Sequence, residues 1–212
     1  MRNSLRLTKS LYAEKIARMK SSLFTSIRHS LILFSLPFLP VSPLWSQALP
    51  AIPTADALER TLSGTWVGAL EYRDYQSGKK FEFPMTTRID VGADGATLTR
   101  VSAFDDGPKT GTVHITTVSL FDAKTSRSTS ATFRKGRAVE TLSDDVIVRD
   151  YKDAQHWTIV YSRKGADGDS QAEIRVIQSL AGAELTELKE VKPISALDSE
   201  YKFRNQVRLR RK

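Results

Sequence analysis

The chain has 212 residues, a formal net charge of +8 and no cysteine, which excludes a disulfide framework, a thiol nucleophile and a cysteine-ligated metal. Residues 1–48 hold seven of the 32 Lys and Arg residues and one of the 24 acidic residues, so residues 49–212 carry 25 basic and 23 acidic side chains. Because binding to a phosphate backbone needs a clustered basic surface, this near balance argues against a nucleic-acid partner.

The first segment predicts export. Residues 31–45 form an apolar run that follows basic residues and precedes Ser46-Gln47-Ala48, a small-x-small cleavage pattern. The run is shorter than the roughly 20 residues of a spanning helix and contains prolines, so we expect a signal peptide over 1–48 and no stable membrane anchor. Cleavage near Ala48 would give a periplasmic or secreted protein. Met19 is a candidate start of translation, and an organelle transit peptide is the alternative interpretation of residues 1–30.

The remainder of the chain has the pattern of one β domain. Residues 49–63 predict a linker and a short helical turn at Ala55–Leu62, with Thr54 as its cap. Residues 64–212 predict the barrel domain, because short runs of alternating apolar and polar residues are separated by turns containing Gly and Asp. Strands are predicted at 64–75, 81–91, 96–103, 111–121, 128–134, 138–150, 156–163, 171–179 and 200–210, while 184–192 fits a strand or a helical turn. Pro84 lacks a ladder donor and predicts a bulge or an edge position.

The last strand shows the alternation most clearly. Successive strand side chains point to opposite faces, so one face is predicted to hold Tyr201, Phe203, Val207 and Leu209, and the other Lys202, Arg204, Arg208 and Arg210. The number and spacing of the strands predict an all-β fold: an antiparallel up-and-down β-barrel of eight to ten strands with a short N-terminal helical turn. Pairing of the last strand with the first would close the barrel and remove its edges.

The first predicted strand opens with Leu62-Ser63-Gly64-Thr65-Trp66-Val67-Gly68, which resembles the G-x-W signature of the lipocalin and fatty-acid-binding superfamily, the calycins. The resemblance is confined to Gly64-Thr65-Trp66, and no second or third lipocalin motif follows. It implies a barrel in which Trp66 packs at the closed end and is covered by a cation from the last strand. Arg208 or Arg210 would supply that cation.

The candidate binding residues are the aromatic and neighbouring side chains on the apolar faces of the strands. A barrel wall would turn these faces inward, although the pattern fits a filled core as well as a hollow one. Thr87, Asn205, Tyr72 and Tyr161 would orient a guest by hydrogen bonds. The predicted ligand-binding residues are Tyr72, Phe81, Phe83, Met85, Trp157, Tyr161, Phe203 and Asn205.

No constellation predicts a metal, a cofactor or catalysis. His114 and His156 lie on predicted strands without a second ligand nearby, so haem ligation by His156 is the weaker interpretation. Asp105-Asp106-Gly107 and Asp167-Gly168-Asp169 fit hairpin turns better than calcium loops, which need a terminal bidentate Glu. The sequence therefore predicts a protein that is not an enzyme.

The predicted function is an exported barrel that binds a small, mostly apolar molecule in its interior. Two alternatives remain open at this stage. An outer-membrane barrel would turn the same aromatic faces to lipid. An interaction module of the cell envelope would use the basic side chains of the last strand, Arg204, Arg208 and Arg210. The sequence leaves the oligomeric state undetermined.

Overall fold

The computed structural model describes residues 51–73, 78–168, 170–195 and 200–212. The predicted signal peptide at 1–48, including the candidate start at Met19, lies outside the described residues, as does Asp169 of the predicted turn. Within the described ranges, no helix has the length and apolar character needed to cross a bilayer.

The structure is an all-β barrel with one short helical turn before the first strand, as predicted. Helix α1 (Ala55–Glu59) continues into a 3-10 turn (Arg60–Leu62), and a second short helix α2 (Gly107–Thr110) follows β3. The segment at 184–192, which fitted two structures, forms a strand. The strands are β1 (Gly64–Arg73), β2 (Lys80–Val91), β3 (Thr97–Asp105), β4 (Thr112–Asp122), β5 (Arg127–Arg134), β6 (Glu140–Asp153), β7 (His156–Asp167), β8 (Ser170–Ala181), β9 (Glu184–Pro193) and β10 (Lys202–Arg211).

Each strand pairs antiparallel with the next, and β10 pairs with β1 to close the barrel. The β1–β10 register runs from Trp66 opposite Arg211 to Tyr72 opposite Asn205, so the predicted closure is confirmed. Pro84 forms no bulge, because the β1–β2 register passes through it without a shift. The β2–β3 register begins one residue later, at Met85, so the missing N–H of Pro84 falls beyond the end of that ladder.

One end of the barrel is sealed by an apolar core. Trp66, Trp157 and Ile159 are almost fully buried there, and Leu58 and Leu62 of the N-terminal helical turn pack against them. The indole Nε1 of Trp66 donates to the carbonyl oxygen of Leu62 at 2.8 Å, which fixes the helical turn over the barrel end. Each fully buried side chain of this kind contributes about 1.5–3 kcal/mol, so this end carries much of the stability of the fold.

The cation that covers Trp66 is Arg211, and the prediction of Arg208 or Arg210 is wrong. Arg211 lies opposite Trp66 in the register and shares its inward face, whereas its neighbours point outward. Its guanidinium carbon lies 4.3 Å from the centroid of the indole ring. The same guanidinium donates to the carbonyl oxygens of Ser63 and Thr61, at 2.6 Å in each case.

A bulge in β10 overturns the predicted shared face of the last strand. The β9–β10 register shifts between Phe203 and Asn205, which inserts one residue and reverses the alternation on either side of it. Val207 and Leu209 face inward, but Phe203 lies opposite Glu190 on the outer face. Arg73, at the end of β1, places its guanidinium 5.9 Å from the Phe203 ring centroid. Phe203 therefore does not belong to the interior set.

Candidate functional site

A cavity of about 330 Å³ lies inside the barrel, beyond the apolar core that seals one end. The core side chains Leu62, Ile89 and Leu98 form its floor. Its walls come from the inward-facing positions of β3 to β9. The remaining lining residues are Glu59, Arg100, Thr117, Ser119, Ser128, Ser130, Thr132, Leu142, Asp144, Tyr161, Arg163, Val176 and Glu187. We call this cavity the central chamber.

One wall of the central chamber consists of hydroxyl groups from β4 and β5. The register places Thr117 opposite Thr132 and Ser119 opposite Ser130, so these side chains form two facing pairs on the inner surface. The Thr117 and Thr132 hydroxyl oxygens are 3.2 Å apart. Ser128 continues the row toward β6. Small side chains at these inward positions leave space that Leu or Phe would fill, which is why the barrel is hollow here.

A buried ion pair joins β3 and β9, with Arg100 directly opposite Thr117 in the β3–β4 register and therefore beside the hydroxyl wall. The Arg100 guanidinium donates to the Glu187 carboxylate, which also accepts a hydrogen bond from Gln178 Nε2 at 2.9 Å. Burial alone would raise the pKa of Glu187, but the charge of Arg100 and the hydrogen bonds from Arg100 and Gln178 outweigh it and hold that pKa below its usual range. Glu187 is therefore ionised and paired at neutral pH.

A second ion pair links β6 and β7 on the same inner surface. Arg163 donates to the Asp144 carboxylate with an N–O distance of 2.7 Å, and the two side chains retain only 16% and 12% of their exposed area. Asp144 also lies opposite Ser128 in the register, so this pair borders the hydroxyl wall. An ion-paired side chain therefore flanks the hydroxyl wall on each side, with Arg100 on β3 and Asp144 on β6.

Glu59 enters the chamber from the helical turn rather than from the wall. Its side chain is buried, and desolvation raises the pKa of its carboxyl group. A hydrogen bond from the Tyr161 hydroxyl and the charge of Arg100 act in the opposite direction without overcoming the burial. Burial and the nearby Glu59 carboxyl raise the pKa of Tyr161 well above its ordinary value, so the phenol keeps its proton and remains a donor.

The predicted ligand-binding residues are dispersed, and Tyr161 is the one of the eight that lines the central chamber. Met85 and Trp157 pack into the core at the sealed end. Tyr72 and Phe81 stack with their ring centroids 5.7 Å apart and are 38% and 42% exposed. Asn205 faces inward on β10 without bordering the chamber, and Thr87 is buried with its hydroxyl 2.9 Å from that of Ser102.

Phe83 borders a second, smaller cavity of about 160 Å³. This cavity lies on the inner face of β1 to β5, away from the sealed end, and its walls are mostly apolar. The other lining residues are Leu70, Phe104, Asp106, Val113, Ile115 and Arg134. Of the eight predicted residues, Phe83 is therefore the one that borders an apolar cavity, and that cavity is smaller than the polar central chamber.

Sequence reasoning missed the residues that define the central chamber: Glu59, Arg100, Asp144, Arg163, Glu187 and the hydroxyl wall. One signal was present, because the predicted strand at 128–134 lacks an apolar face and places Ser128, Ser130 and Thr132 on one side. Read as a barrel strand, this pattern predicts a polar interior surface. The charged members gave no such signal, since a charged residue in a strand is most often on the outer face.

His114 and His156 lie away from both cavities. His156 starts β7 at a turn, and its Nδ1 is 2.8 Å and 3.0 Å from the two carboxylate oxygens of Asp153. His114 is exposed and lies opposite Ala103 on the outer face. Across the described ranges, no group of three or more His, Asp and Glu side chains has the spacing of a metal site.

The basic side chains of the last strand do not form one surface. Arg204 lies 3.3 Å from Asp167, an inward-facing residue of β7, because the bulge turns it toward the interior. Arg208 points outward and lies 3.3 Å from Glu71. Two of the three arginines that the interaction-module alternative needs are thus on opposite faces and paired with carboxylates.

Comparison with known proteins supports the fold and leaves the function open. No protein-family model matches the chain, and no curated protein matches it. Among solved structures, the crystal structure of Rv2717c from M. tuberculosis is similar, with a TM-score of 0.51 at 12% sequence identity. The similarity covers 76% of this chain and 99% of that chain. At this identity the likeness extends to the barrel fold alone.

Proposed function

We propose that this protein is a small-molecule-binding barrel that holds one polar molecule in its central chamber. The observation that carries the proposal is a cavity of about 330 Å³ in which a wall of Ser and Thr hydroxyls is flanked by two ion pairs. That volume falls within the range of roughly 300–1,000 Å³ that is typical of ligand sites. The ligand class differs from the mostly apolar molecule that the sequence predicted, because all the aromatic residues behind that prediction except Tyr161 lie elsewhere.

The chamber favours a ligand with many hydrogen-bonding groups. An apolar guest would desolvate the hydroxyl wall and the ion pairs without replacing their bonds to water, at about 1–3 kcal/mol for each unpaired polar group. A ligand with several hydroxyl groups replaces those bonds. Because the wall hydroxyl groups need hydrogen-bond partners, the chamber favours polar molecules over apolar molecules of equal size.

We also propose that the barrel is of the calycin-like type. The support is local: Gly64-Thr65-Trp66 opens β1 directly after the helical turn, Trp66 is buried at the sealed end, and Arg211 of the last strand covers its ring. These are the positions that the G-x-W resemblance implies. A calycin-like barrel holds its ligand in the interior, which agrees with the chamber.

Export and an aqueous location complete the proposal. The support for export is the apolar run at 31–45 followed by Ser46-Gln47-Ala48. Glu71, Glu82 and Arg88 lie on outward positions of β1 and β2, where lipid would make charged side chains costly, so the aqueous alternative is favoured over an outer-membrane barrel. Mass spectrometry of the protein from the exporting cell should give an N-terminus near residue 49. An intact N-terminus, at Met1 or at Met19, would contradict export.

The binding proposal is tested with isosteric changes in the hydroxyl wall. Thr117→Val and Thr132→Val each remove one hydroxyl at nearly constant volume, and Thr129→Val makes the same change at an outward position of β5. A panel of small polyols, sugars and amino alcohols is screened by ligand-observed NMR, and the affinities of hits are measured by calorimetry. We expect each inward variant to weaken binding by about tenfold, which corresponds to roughly 1.4 kcal/mol, and the outward variant to leave it unchanged.

Two results would count against this function. Equal binding by the inward variants and Thr129→Val would place the ligand outside the chamber. Preferential binding of an apolar dye, lost in Phe83→Ala and kept in Thr117→Val, would assign ligand binding to the smaller cavity and restore the apolar-ligand hypothesis.

A further inference from the structure

The charges in the central chamber do not balance if all of its acids are ionised. Three carboxyl groups and two guanidinium groups line the cavity. Arg100 pairs with Glu187, and Arg163 pairs with Asp144 at 2.7 Å. Glu59 takes part in neither of these pairs. The chamber therefore contains one carboxyl group without a cation of its own, and that group borders the space where a ligand would lie.

The surroundings of Glu59 explain how the empty chamber tolerates this group. Glu59 is 8% exposed, and burial favours its neutral acid form over the carboxylate. The groups that face it are Tyr161 from β7, Arg100 from β3 and Glu187 from β9, with Asp56 on its own helix. Tyr161 and Arg100 favour the carboxylate, whereas Glu187 and Asp56 oppose it. The one nearby cation is already engaged by Glu187.

From this arrangement we propose that the central chamber binds a polar molecule carrying an amine, whose ammonium group pairs with ionised Glu59 while its hydroxyl groups bind the Ser and Thr wall. The inference rests on the proposed function and names the ligand class for the same chamber. An ammonium group supplies three donors and the missing positive charge together. An anionic ligand would instead meet three carboxyl groups and two arginines that are already paired.

The proposal has a defined proton balance. In the empty chamber burial favours the protonated form of the Glu59 carboxyl group, and the free amine ligand is protonated as ammonium. When the ligand binds, the carboxyl proton leaves to solvent and the ammonium keeps its own, so each binding event releases up to one proton. The chamber then contains three carboxylates and three cations.

Matched pairs of compounds that differ only by an amine in place of a hydroxyl group test this inference. D-glucosamine with D-glucose and 2-amino-1,3-propanediol with glycerol are suitable pairs of two sizes. Affinity and proton release are measured by calorimetry in two buffers with different ionisation enthalpies. For the mature protein we expect the amine of at least one pair to bind about tenfold more tightly than its hydroxyl partner, with proton release.

Glu59→Gln keeps the size and neutral form of the side chain and cannot ionise. We expect this variant to lose both the amine preference and the proton release. Glu82→Gln is the matched control, because it makes the same change at an exposed outward position of β2 that does not line the chamber. It should retain both properties.

The outcomes separate this inference from the proposed function. If the hydroxyl compounds bind as tightly as the amines, or if the preference survives in Glu59→Gln, the amine inference is overturned and the polar chamber remains a binding site. If neither member of either pair binds the unmodified protein, the result counts against the amine inference and against the proposed function together. Should Glu59→Gln not fold, the matched pairs measured on the unmodified protein decide, since equal affinity for an amine and its hydroxyl partner in both pairs would overturn the inference.

Discussion

Removing Arg100 should destabilise the fold more than removing the charge of Glu187. The reason is that Arg100 has a second acid nearby, Glu59, with which it can pair, whereas Glu187 has no second cation among the described groups that act on it. Arg100→Met leaves Glu187 buried with Gln178 as its hydrogen-bond donor and Glu59 as a neighbouring acid. A buried charge stripped of its partner typically costs 3–5 kcal/mol, so we expect about 4 kcal/mol here. Glu187→Gln instead frees Arg100 to pair with Glu59, and the loss should be near 1 kcal/mol.

Urea unfolding followed by tryptophan fluorescence measures both changes, since Trp66 and Trp157 are buried in the folded barrel. The decisive variant combines Glu59→Gln with Glu187→Gln. With the replacement partner removed, Glu187→Gln should cost about 1–2 kcal/mol more than it does in the unmodified protein. Equal costs in the two backgrounds would refute the replacement argument. This comparison remains available if Arg100→Met fails to fold.

Three further predictions concern the sealed end, the β1–β10 contact and pH. Arg211→Ala loses the cation over the Trp66 ring and two hydrogen bonds to backbone carbonyls, so thermal unfolding should show about 1–2 kcal/mol of destabilisation, while Arg210→Ala stays near zero. Gly68→Ala would put a Cβ 1.9 Å from the Arg208 carbonyl oxygen and should lower the yield of folded protein, while Gly165→Ala, with open space around its Cβ position, should not. The raised pKa of Glu59 gives a stabilising contribution that is fully present below the ordinary pKa of 4.5 and is lost as pH rises through the pKa of the folded protein. Glu59→Gln should therefore flatten the decline of the unfolding free energy above pH 4.5, and an unchanged decline would contradict this assignment.

The strands were predictable because their alternation has a period of two, which few other structures produce. β2 shows this well: its inward positions 83 to 91 are apolar apart from Thr87, and its outward positions are polar. β9 was ambiguous for a physical reason. Its inward face holds Glu187 and Lys189 between Leu185 and Val191, so burial of charged groups in the chamber erases the apolar alternation on which a strand prediction depends.

A register error accounts for the wrong prediction that Phe203 faces the interior. The alternation in β10 assigns Phe203 and Val207 to one face, but a single inserted residue between Phe203 and Asn205 exchanges the faces. Nothing local in the sequence requires a bulge at this point. The assignment of Arg208 or Arg210 to Trp66 was wrong for a different reason: the alternation already puts both on the outer face, and the register with β1 places Arg211 opposite Trp66.

The chamber itself could not be predicted, because its contacts join residues that are distant in sequence. Arg100 and Glu187 are 87 positions apart, and they meet only because both face inward from opposite parts of the closed barrel. Glu59 reaches them from a helix that precedes the first strand. Each residue alone has the character of a solvent-exposed charge, and only closure of the barrel turns the three into one buried group.

The helical turn connects the stability of the barrel with the chemistry of its chamber. Leu58 and Glu59 are adjacent on α1, yet Leu58 packs into the apolar core while Glu59 lines the cavity. A ligand that pairs with Glu59 therefore holds the same helix that seals the barrel, and its binding energy adds to the packing of Leu58 and Leu62. Because buried ion pairs add little stability compared with apolar residues of the same size, the two pairs in the chamber weaken the empty protein or leave it unchanged. We therefore expect binding of the proposed ligand and closure of the sealed end to stabilise each other.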